Sequence, residues 1–126
     1  MSKSLRGVGI EVFNRQSFHN EAAWQGACAV CGTRKGPWQA HHVIYEQHLR
    51  RDGFPRYNTR NALRLCKAHH DQHHARQHVV LVSQLTLESL VYGFEIFGSA
   101  AVDYFTRYYR RGPEDRLDEL LAAEAL

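Results

Sequence analysis

The most informative segment of the sequence runs from Asn61 to His78 and reads N-A-L-R-L-C-K-A-H-H-D-Q-H-H-A-R-Q-H. Five of the chain's nine histidines lie in it. Its first residues alternate apolar and polar side chains, which predicts a short strand over 62–66. A helix over about 67–77 is expected next, because histidines recur there at the i, i+4 spacing that places two rings on one helix face. The two such pairs are His69 with His73 and His70 with His74.

The composition indicates one small domain. The chain has 126 residues and a net charge of +3. A domain of this size buries a modest core, and a bound metal is a common supplement to its stability. The mild positive charge is compatible with a nucleic-acid partner. No apolar run approaches the ~20 residues of a membrane span, and the N-terminus lacks the apolar core of a signal peptide, so a soluble intracellular protein is expected.

The cysteines predict a metal site. Cys28 and Cys31 are two apart and are followed by Gly32, whose backbone freedom lets the chain turn so that amides face the sulfurs. Cys66 and His69 form a second half with the same spacing, so three thiolates and one imidazole would complete a structural zinc site. The alternative for Cys66 is a small buried apolar side chain at the end of a strand.

Upstream of the central stretch, a helix is expected over 17–25, with Ser17 or Asn20 as its cap. The segment 8–13 is a candidate edge strand, and 39–45 is a strand candidate rich in β-branched and aromatic residues. The adjacent histidines His41 and His42 would point to opposite faces of that strand, so both can serve one site only if the strand bends or ends there.

Residues 46–60 are expected to form a loop, because an Asp-Gly pair and Pro55 interrupt regular structure. The arginines of this loop are candidates for phosphate contact, although a solvated loop is an equal alternative. They are Arg50, Arg51, Arg56 and Arg60.

After residue 78 the chain is expected to be mainly helical. Residues 79–85 are apolar and extended or turning, a helix begins at Thr86 with Gly98 as its C-cap, and a second begins at Ser99. A last helix is expected from Gly112-Pro113. The aromatic side chains of 86–111 are expected to pack back on the preceding unit or to form a contact in a homodimer.

The order Cys-x2-Cys, His-His, Asn, Cys-x2-His-His over residues 28–74 resembles the HNH endonuclease family, the ββα-metal nucleases. The resemblance implies an α+β fold in a single domain, 1–126. It places a ββα-metal core with a structural zinc at 17–78 and a helical C-terminal extension at 79–126. The two aromatic helices of that extension resemble the tail of phage-borne HNH proteins.

The resemblance also implies residue roles. His41 would bind the catalytic metal, His42 would be the general base, and Asn61, with Asn58 as second candidate, would hold the loop that aims the base. Family members of the colicin type place their helix histidines nine and thirteen residues after the central Asn. Here those offsets give His70 and His74 as the remaining metal ligands.

One departure from the family pattern concerns the zinc. Zinc-bearing members have Cys-x2-Cys before the helix histidine, whereas this chain has Cys-x2-His, which makes His69 the fourth ligand. His69 and His73 then form a competing pair: if His73 served the active site, the helix would be rotated by about one residue. Otherwise His73 and His78 are expected at the surface.

The function implied is metal-dependent endonuclease cleavage of DNA in the cytoplasm of a bacterial or phage-infected cell. Zn²⁺ would be structural, and Mg²⁺, Mn²⁺ or another divalent ion would be catalytic. Two alternatives stay open: a catalytically inactive zinc-bound nucleic-acid-binding module, and a different one-metal hydrolase or RNase. The candidate nucleic-acid contacts are Arg60, Arg64 and Arg76.

Overall fold

The computed structural model of the protein describes residues 14–109. This part of the chain is a mixture of helices with a small two-stranded sheet, which agrees with the expected α+β class. The predicted edge strand 8–13 and the helix expected from Gly112-Pro113 lie outside the described residues. The helices and strands are α1 Arg15–Trp24, β1 Trp38–His42, α2 Glu46–Arg51, β2 Ala62–Cys66, α3 Lys67–Gln72, α4 Leu87–Phe97 and α5 Ala101–Tyr108. Short 3₁₀ turns cover Thr59–Asn61, Val82–Gln84 and Gly98–Ala100, and a π-helical turn covers His73–Gln77.

Helix α1 begins earlier than predicted. Its cap is Asn14, whose side-chain oxygen accepts a hydrogen bond from the Ser17 N–H at 2.8 Å, so neither Ser17 nor Asn20 is the cap. Phe18 and Ala22 are one turn apart and are buried with Ala62 of β2. The helix therefore covers one side of the sheet.

The sheet pairs β1 with β2 in antiparallel register, with Trp38 opposite Cys66 and His42 opposite Ala62. Strand β1 ends at His42, three residues before the predicted end. The reason is that the side-chain amide of Asn61 forms hydrogen bonds with both the N–H and the C=O of Ile44. These backbone groups therefore do not need a neighbouring strand as partner. Val43 is left to turn into the core.

The segment after β1 is not the continuous loop that was expected over 46–60. Glu46–Arg51 forms α2, which has no side-chain cap, and Leu49 on its inner face is 1% exposed. A helix of six residues is too short to show a periodic apolar pattern in the sequence, so packing of Leu49 rather than intrinsic propensity accounts for it.

The helix after β2 has the expected start, and Lys67–Gln72 continues through the wider turn His73–Gln77. The helical geometry breaks within this turn at Arg76, which has φ +68°, and His78 follows with φ +46°. The backbone thus reverses direction directly after the cluster of histidines.

The C-terminal helices pack back onto the sheet, which is one of the two arrangements expected for residues 86–111. Thr86 caps α4 by accepting from the Ser89 N–H, and Gly98 ends it with φ +59°, both as predicted. In α5, the Tyr104 hydroxyl accepts a hydrogen bond from the Tyr45 N–H, 2.9 Å away. The core between sheet and helices includes Val43, Ile44, Leu63, Leu65, Leu90, Phe105 and Tyr109. Within residues 14–109, no helix has the length and apolar character to cross a bilayer.

Helices α4 and α5 approach most closely at Gly93, and a methyl group there should destabilise the protein. A Cβ at Gly93 would lie 2.5 Å from Cζ and 2.6 Å from Cε2 of Phe105, which is fully buried. Gly93→Ala should therefore lower the free energy of unfolding by about 1–3 kcal/mol through overpacking, although alanine favours helix.

Urea unfolding of both proteins checks this expectation. Thr106→Ala, at an exposed position of α5, is the control and should change stability by less than about 0.5 kcal/mol. An unchanged or higher midpoint in Gly93→Ala would show that the two helices do not pack this closely.

Candidate metal centres and active site

The first cluster of metal-binding side chains joins the two predicted halves. Cys28 and Cys31, before β1, meet Cys66 at the end of β2 and His69 in the first turn of α3, and the four ligand atoms lie within 4.8 Å of one another. Cys66 Sγ and His69 Nδ1 are 3.1 Å apart, and Cys28 Sγ and His69 Nδ1 are 3.9 Å apart. The four groups are positioned to hold a metal ion, as the spacing predicts.

The turn that carries Cys28 and Cys31 is shaped for thiolates. Gly32 has φ +75°, and its N–H donates to the Cys28 carbonyl at 2.9 Å. Burial acts to raise the pKa of the Cys28 thiol, but hydrogen bonds from backbone N–H groups, that of Cys31 foremost, outweigh it and lower the pKa to about 6. Cys28 is therefore readily ionised, which a metal-bound sulfur requires.

The second cluster contains three histidines. His41 of β1 meets His70 of α3 and His74 of the following turn, again with ligand nitrogens within 4.8 Å of one another. His41 Nδ1 and His74 Nε2 are 3.3 Å apart. A tetrahedral ion with metal–nitrogen bonds of ~2.1 Å separates its ligand nitrogens by about 3.4 Å, so this spacing fits a shared ion. Three protein ligands leave coordination positions free for water or substrate.

The tautomer of His41 is set by a residue that sequence reasoning missed. The Tyr109 hydroxyl donates to the Val43 carbonyl at 2.5 Å, so it can only accept from His41 Nε2, 2.9 Å away. The proton of His41 therefore lies on Nε2, and the lone pair of Nδ1 faces His74. Such an outer partner is the usual way in which a protein orients a ligand imidazole.

The same ring is held neutral. Burial lowers the pKa of His41 well below its ordinary value, and the nearby histidines, His73 and His74 first, add to the effect. Burial also lowers the pKa of His70, to about 4, and that of His74. Neutral imidazoles are the form that binds metal, so the cluster is suited to that role at neutral pH.

His42 lies on the other side of β1 from His41, as strand geometry requires. Its ring stacks on Phe18 at 4.3 Å between centroids, and its Nε2 donates to the Arg56 carbonyl at 2.8 Å. Nδ1 is thereby left unprotonated and able to accept a proton. Because β1 ends at His42, the ring lines a cleft of about 310 Å³ together with His70 and His74. His41 does not line this cleft and is fully buried, but its ring contacts those of His70 and His74, at 5.6 and 5.1 Å between centroids.

Asn61 acts on the backbone and not on the ring of His42. Its Oδ1 accepts from the Ile44 N–H at 2.7 Å, and its Nδ2 donates to the Ile44 carbonyl at 3.0 Å. It therefore fixes the chain that leaves β1 directly after the two histidines. The ring of His42 is instead held by the Arg56 carbonyl. Asn58 instead caps the turn before β2 by accepting from the Arg60 N–H at 2.9 Å.

The expectation that His73 lies at the surface is wrong. Its side chain is 1% exposed, its Nδ1 accepts from the Val80 N–H at 3.3 Å, and its Nε2 therefore donates to the Tyr45 hydroxyl at 2.7 Å. Burial lowers its pKa to about 4. With both nitrogens engaged, His73 is a neutral packing residue. The helix register is that of the pair His70 and His74, and His78 is half-buried with Nδ1 near the Tyr108 carbonyl at 3.0 Å.

The candidate nucleic-acid contacts need correction at two of three positions. Arg64 is 8% exposed, its guanidinium lies 3.4 Å from the Trp38 ring centroid, and it donates to the Ala23 carbonyl at 2.8 Å. Arg60 forms two hydrogen bonds to Glu95, at 2.7 and 2.8 Å. Both side chains are committed to the fold. Arg76 is exposed and lines a second cleft.

Comparisons with protein-family models, with curated proteins and with solved structures gave no match for this chain.

Proposed function

We propose that the protein is a metal-dependent endonuclease of the HNH, or ββα-metal, class that hydrolyses phosphodiester bonds in DNA. The observation that carries the proposal is one cleft lined by His42, whose Nδ1 can accept a proton, and by His70 and His74, which form a metal-ligand cluster with the buried His41. The arrangement of two antiparallel strands followed by a helix, with ligands on both, supports the same class.

The chemistry follows from the roles that these side chains can take. His42 accepts a proton from a water molecule through Nδ1, while the Arg56 carbonyl holds the opposite ring nitrogen and so keeps the base in the required tautomer. Asn61 holds the chain at Ile44 and thereby aims the ring. A divalent ion on His41, His70 and His74 would supply Lewis-acid polarisation of the phosphate and stabilisation of the leaving 3′ oxygen.

The four-ligand cluster has a separate task. Three thiolates and one imidazole in this spacing suit Zn²⁺ in a closed structural site. The Ala29 N–H donates to the Arg64 carbonyl at 3.0 Å, so the cysteine turn is also tied to β2. A zinc ion there would fix the junction of β2 and α3, and with it the position of His70. The three-histidine cluster is not needed for that, which favours a nuclease over a zinc-bound binding module without activity.

Incubation with supercoiled plasmid tests the proposal, and a pair of histidine variants makes it specific. The wild-type protein should produce nicked or linear DNA with Mg²⁺ or Mn²⁺ and none with EDTA. His74→Ala should remove this activity with little effect on stability, because His74 is exposed and contributes one of three ligands.

His73→Ala is the matched control and should behave in the opposite way. It should cleave within a few-fold of wild type but lose about 1–3 kcal/mol of stability, because the Val80 N–H and the Tyr45 hydroxyl lose a buried partner. DNA binding without cleavage under every ion would favour the inactive binding module. Cleavage of structured RNA alone would indicate an RNase.

A further inference from the structure

A larger cleft opens beside the three-histidine cluster. It has a volume of about 830 Å³ and shares Tyr45, Glu46 and His74 with the smaller cleft that His42 lines. The two clefts are therefore neighbours, and these three side chains form part of the wall of both. The other residues that line the larger cleft are Gln47, Arg50, His73, Arg76, His78, Arg107 and Tyr108.

Three guanidinium groups reach this cleft from three separate elements: Arg50 from α2, Arg76 from the turn after α3, and Arg107 from α5. All three side chains are exposed. Among residues 14–109, none of the three forms an ion pair, whereas Arg51 binds Asp52 and Arg60 binds Glu95. Within residues 14–109 these three guanidinium groups have no carboxylate partner, although Arg107 also lies over the Tyr108 ring, 5.7 Å from its centroid.

The negative charge of the lining is small. Its single carboxylate is Glu46, which forms an ion pair with Arg56. The lining histidine His73 has both ring nitrogens engaged within the protein, by the Val80 N–H and the Tyr45 hydroxyl. A surplus of free guanidinium groups in a concave site attracts anions, and guanidinium groups suit phosphate because they donate two parallel hydrogen bonds.

The hydroxyl of Tyr45 adds a hydrogen-bond donor in the wall that the two clefts share. His73 donates to the Tyr45 oxygen, so the hydrogen of that hydroxyl is directed away from His73. A phenol hydroxyl keeps its hydrogen at neutral pH. It is thus available to an acceptor such as a phosphate oxygen, between the arginines and the metal-binding histidines.

The backbone at Arg76 is held in an unfavourable conformation. Arg76 and His78 both have positive φ, which is unfavourable for residues other than glycine and is common at functional sites. His78 Nδ1 donates a hydrogen bond to the Tyr108 carbonyl, 3.0 Å away, because a carbonyl oxygen can only accept. This bond connects the turn to α5. The strained turn and α5 thereby bring Arg76 and Arg107 to the same cleft.

We propose that this arginine-lined cleft binds the DNA backbone next to the phosphate that is cleaved, and that α5 completes it through Arg107 and Tyr108. The inference rests on the proposed nuclease function and deepens it. The cleft would hold flanking phosphates through Arg50, Arg76 and Arg107, so it contributes affinity and register and not the chemical step. Contacts of this kind are independent of sequence and sensitive to salt.

Binding of a fluorescein-labelled DNA duplex, followed by fluorescence anisotropy over a range of salt concentrations, tests the proposal. The measurements use His42→Ala protein, so cleavage does not interfere. Adding Arg50→Gln and Arg107→Gln should weaken binding about tenfold or more. It should also reduce the slope of log affinity against log salt by roughly two, because each lost phosphate contact removes about 0.9.

The charge-matched control carries Arg51→Gln and Arg34→Gln in the same background. Arg51 is the neighbour of Arg50 in α2, and neither control arginine lines the cleft. For this control, the slope of log affinity against log salt should stay near that of the parent His42→Ala protein. Equal losses in the two double variants would overturn the cleft proposal and leave the nuclease proposal standing if wild type cleaves plasmid. Failure of the parent to bind duplex DNA, or preference for an RNA hairpin, would overturn the cleft proposal whatever the plasmid result.

Discussion

Cys66→Ala should lose the metal of the four-ligand cluster and leave the protein largely unfolded. Cys66 supplies one of four ligands and joins β2 to α3, so its loss opens the site at the point where the two elements meet. Structural zinc contributes on the order of 10 kcal/mol to the folding of small domains, which is comparable with the whole stability of a protein of this size. No other single change described here should have so large an effect on stability.

Elemental analysis and circular dichroism measure this outcome. Wild-type protein purified in metal-free buffer should hold about one zinc per chain. Lys67→Ala, at the exposed neighbouring position, should keep both metal and fold. A well-folded, zinc-free Cys66→Ala protein with unchanged thermal stability would rule out the structural site.

The largest effect on activity is expected for His42→Ala, which should keep the fold, the zinc and DNA binding but lose cleavage by a factor of roughly 10²–10⁴. The substitution removes the proposed general base, whereas the seven candidate metal ligands within residues 14–109 remain. Burial lowers the pKa of His42, against the opposing effects of Glu46 and the Arg56 carbonyl. The wild-type rate should therefore fall on the acid side only below the ordinary histidine pKa of about 6.5, because only the neutral ring accepts a proton.

Initial rates on plasmid at saturating Mn²⁺, over a range of pH, provide the comparison. His19→Ala is a control of the same residue type in the same cleft and should cleave within a few-fold of wild type. Wild-type rates in His42→Ala, together with an inactive His41→Ala, would mean that the roles of the adjacent histidines are reversed.

Both ligand clusters could be predicted from the sequence because each is assembled from local pairs. Cys28 with Cys31, Cys66 with His69, and His70 with His74 are each held at a fixed separation by a turn or a helix, so spacing alone carries the geometry. The assignment of His41, and the choice of His70 with His74 over His69 with His73, came from the resemblance to the HNH family and not from spacing. The antiparallel register that joins these parts places Trp38 opposite Cys66 and His41 opposite Leu63.

The parts that sequence reasoning missed depend on contacts between distant residues. His73 has the same local spacing as its neighbours, and only the folding of Val80 and Tyr45 around it shows that it is buried. The partner of His42 is the backbone carbonyl of Arg56, which has no signature in the sequence. Arg64 looks like a surface cation on an alternating strand until α1 and Trp38 are placed beside it.

The hydroxyl of Tyr109 determines whether the Cys/His motif could form the same site in another protein. All seven candidate metal ligands lie within residues 28–74, so a fragment ending at residue 78 would carry the complete signature. It would nonetheless lack the ring that orients His41 and packs beside His73. If the motif were grafted onto another scaffold, the candidate ligands would be transferred without Tyr109, the residue that orients His41. In this protein the site therefore depends on Tyr109, which lies well beyond the C-terminal end of the sequence motif.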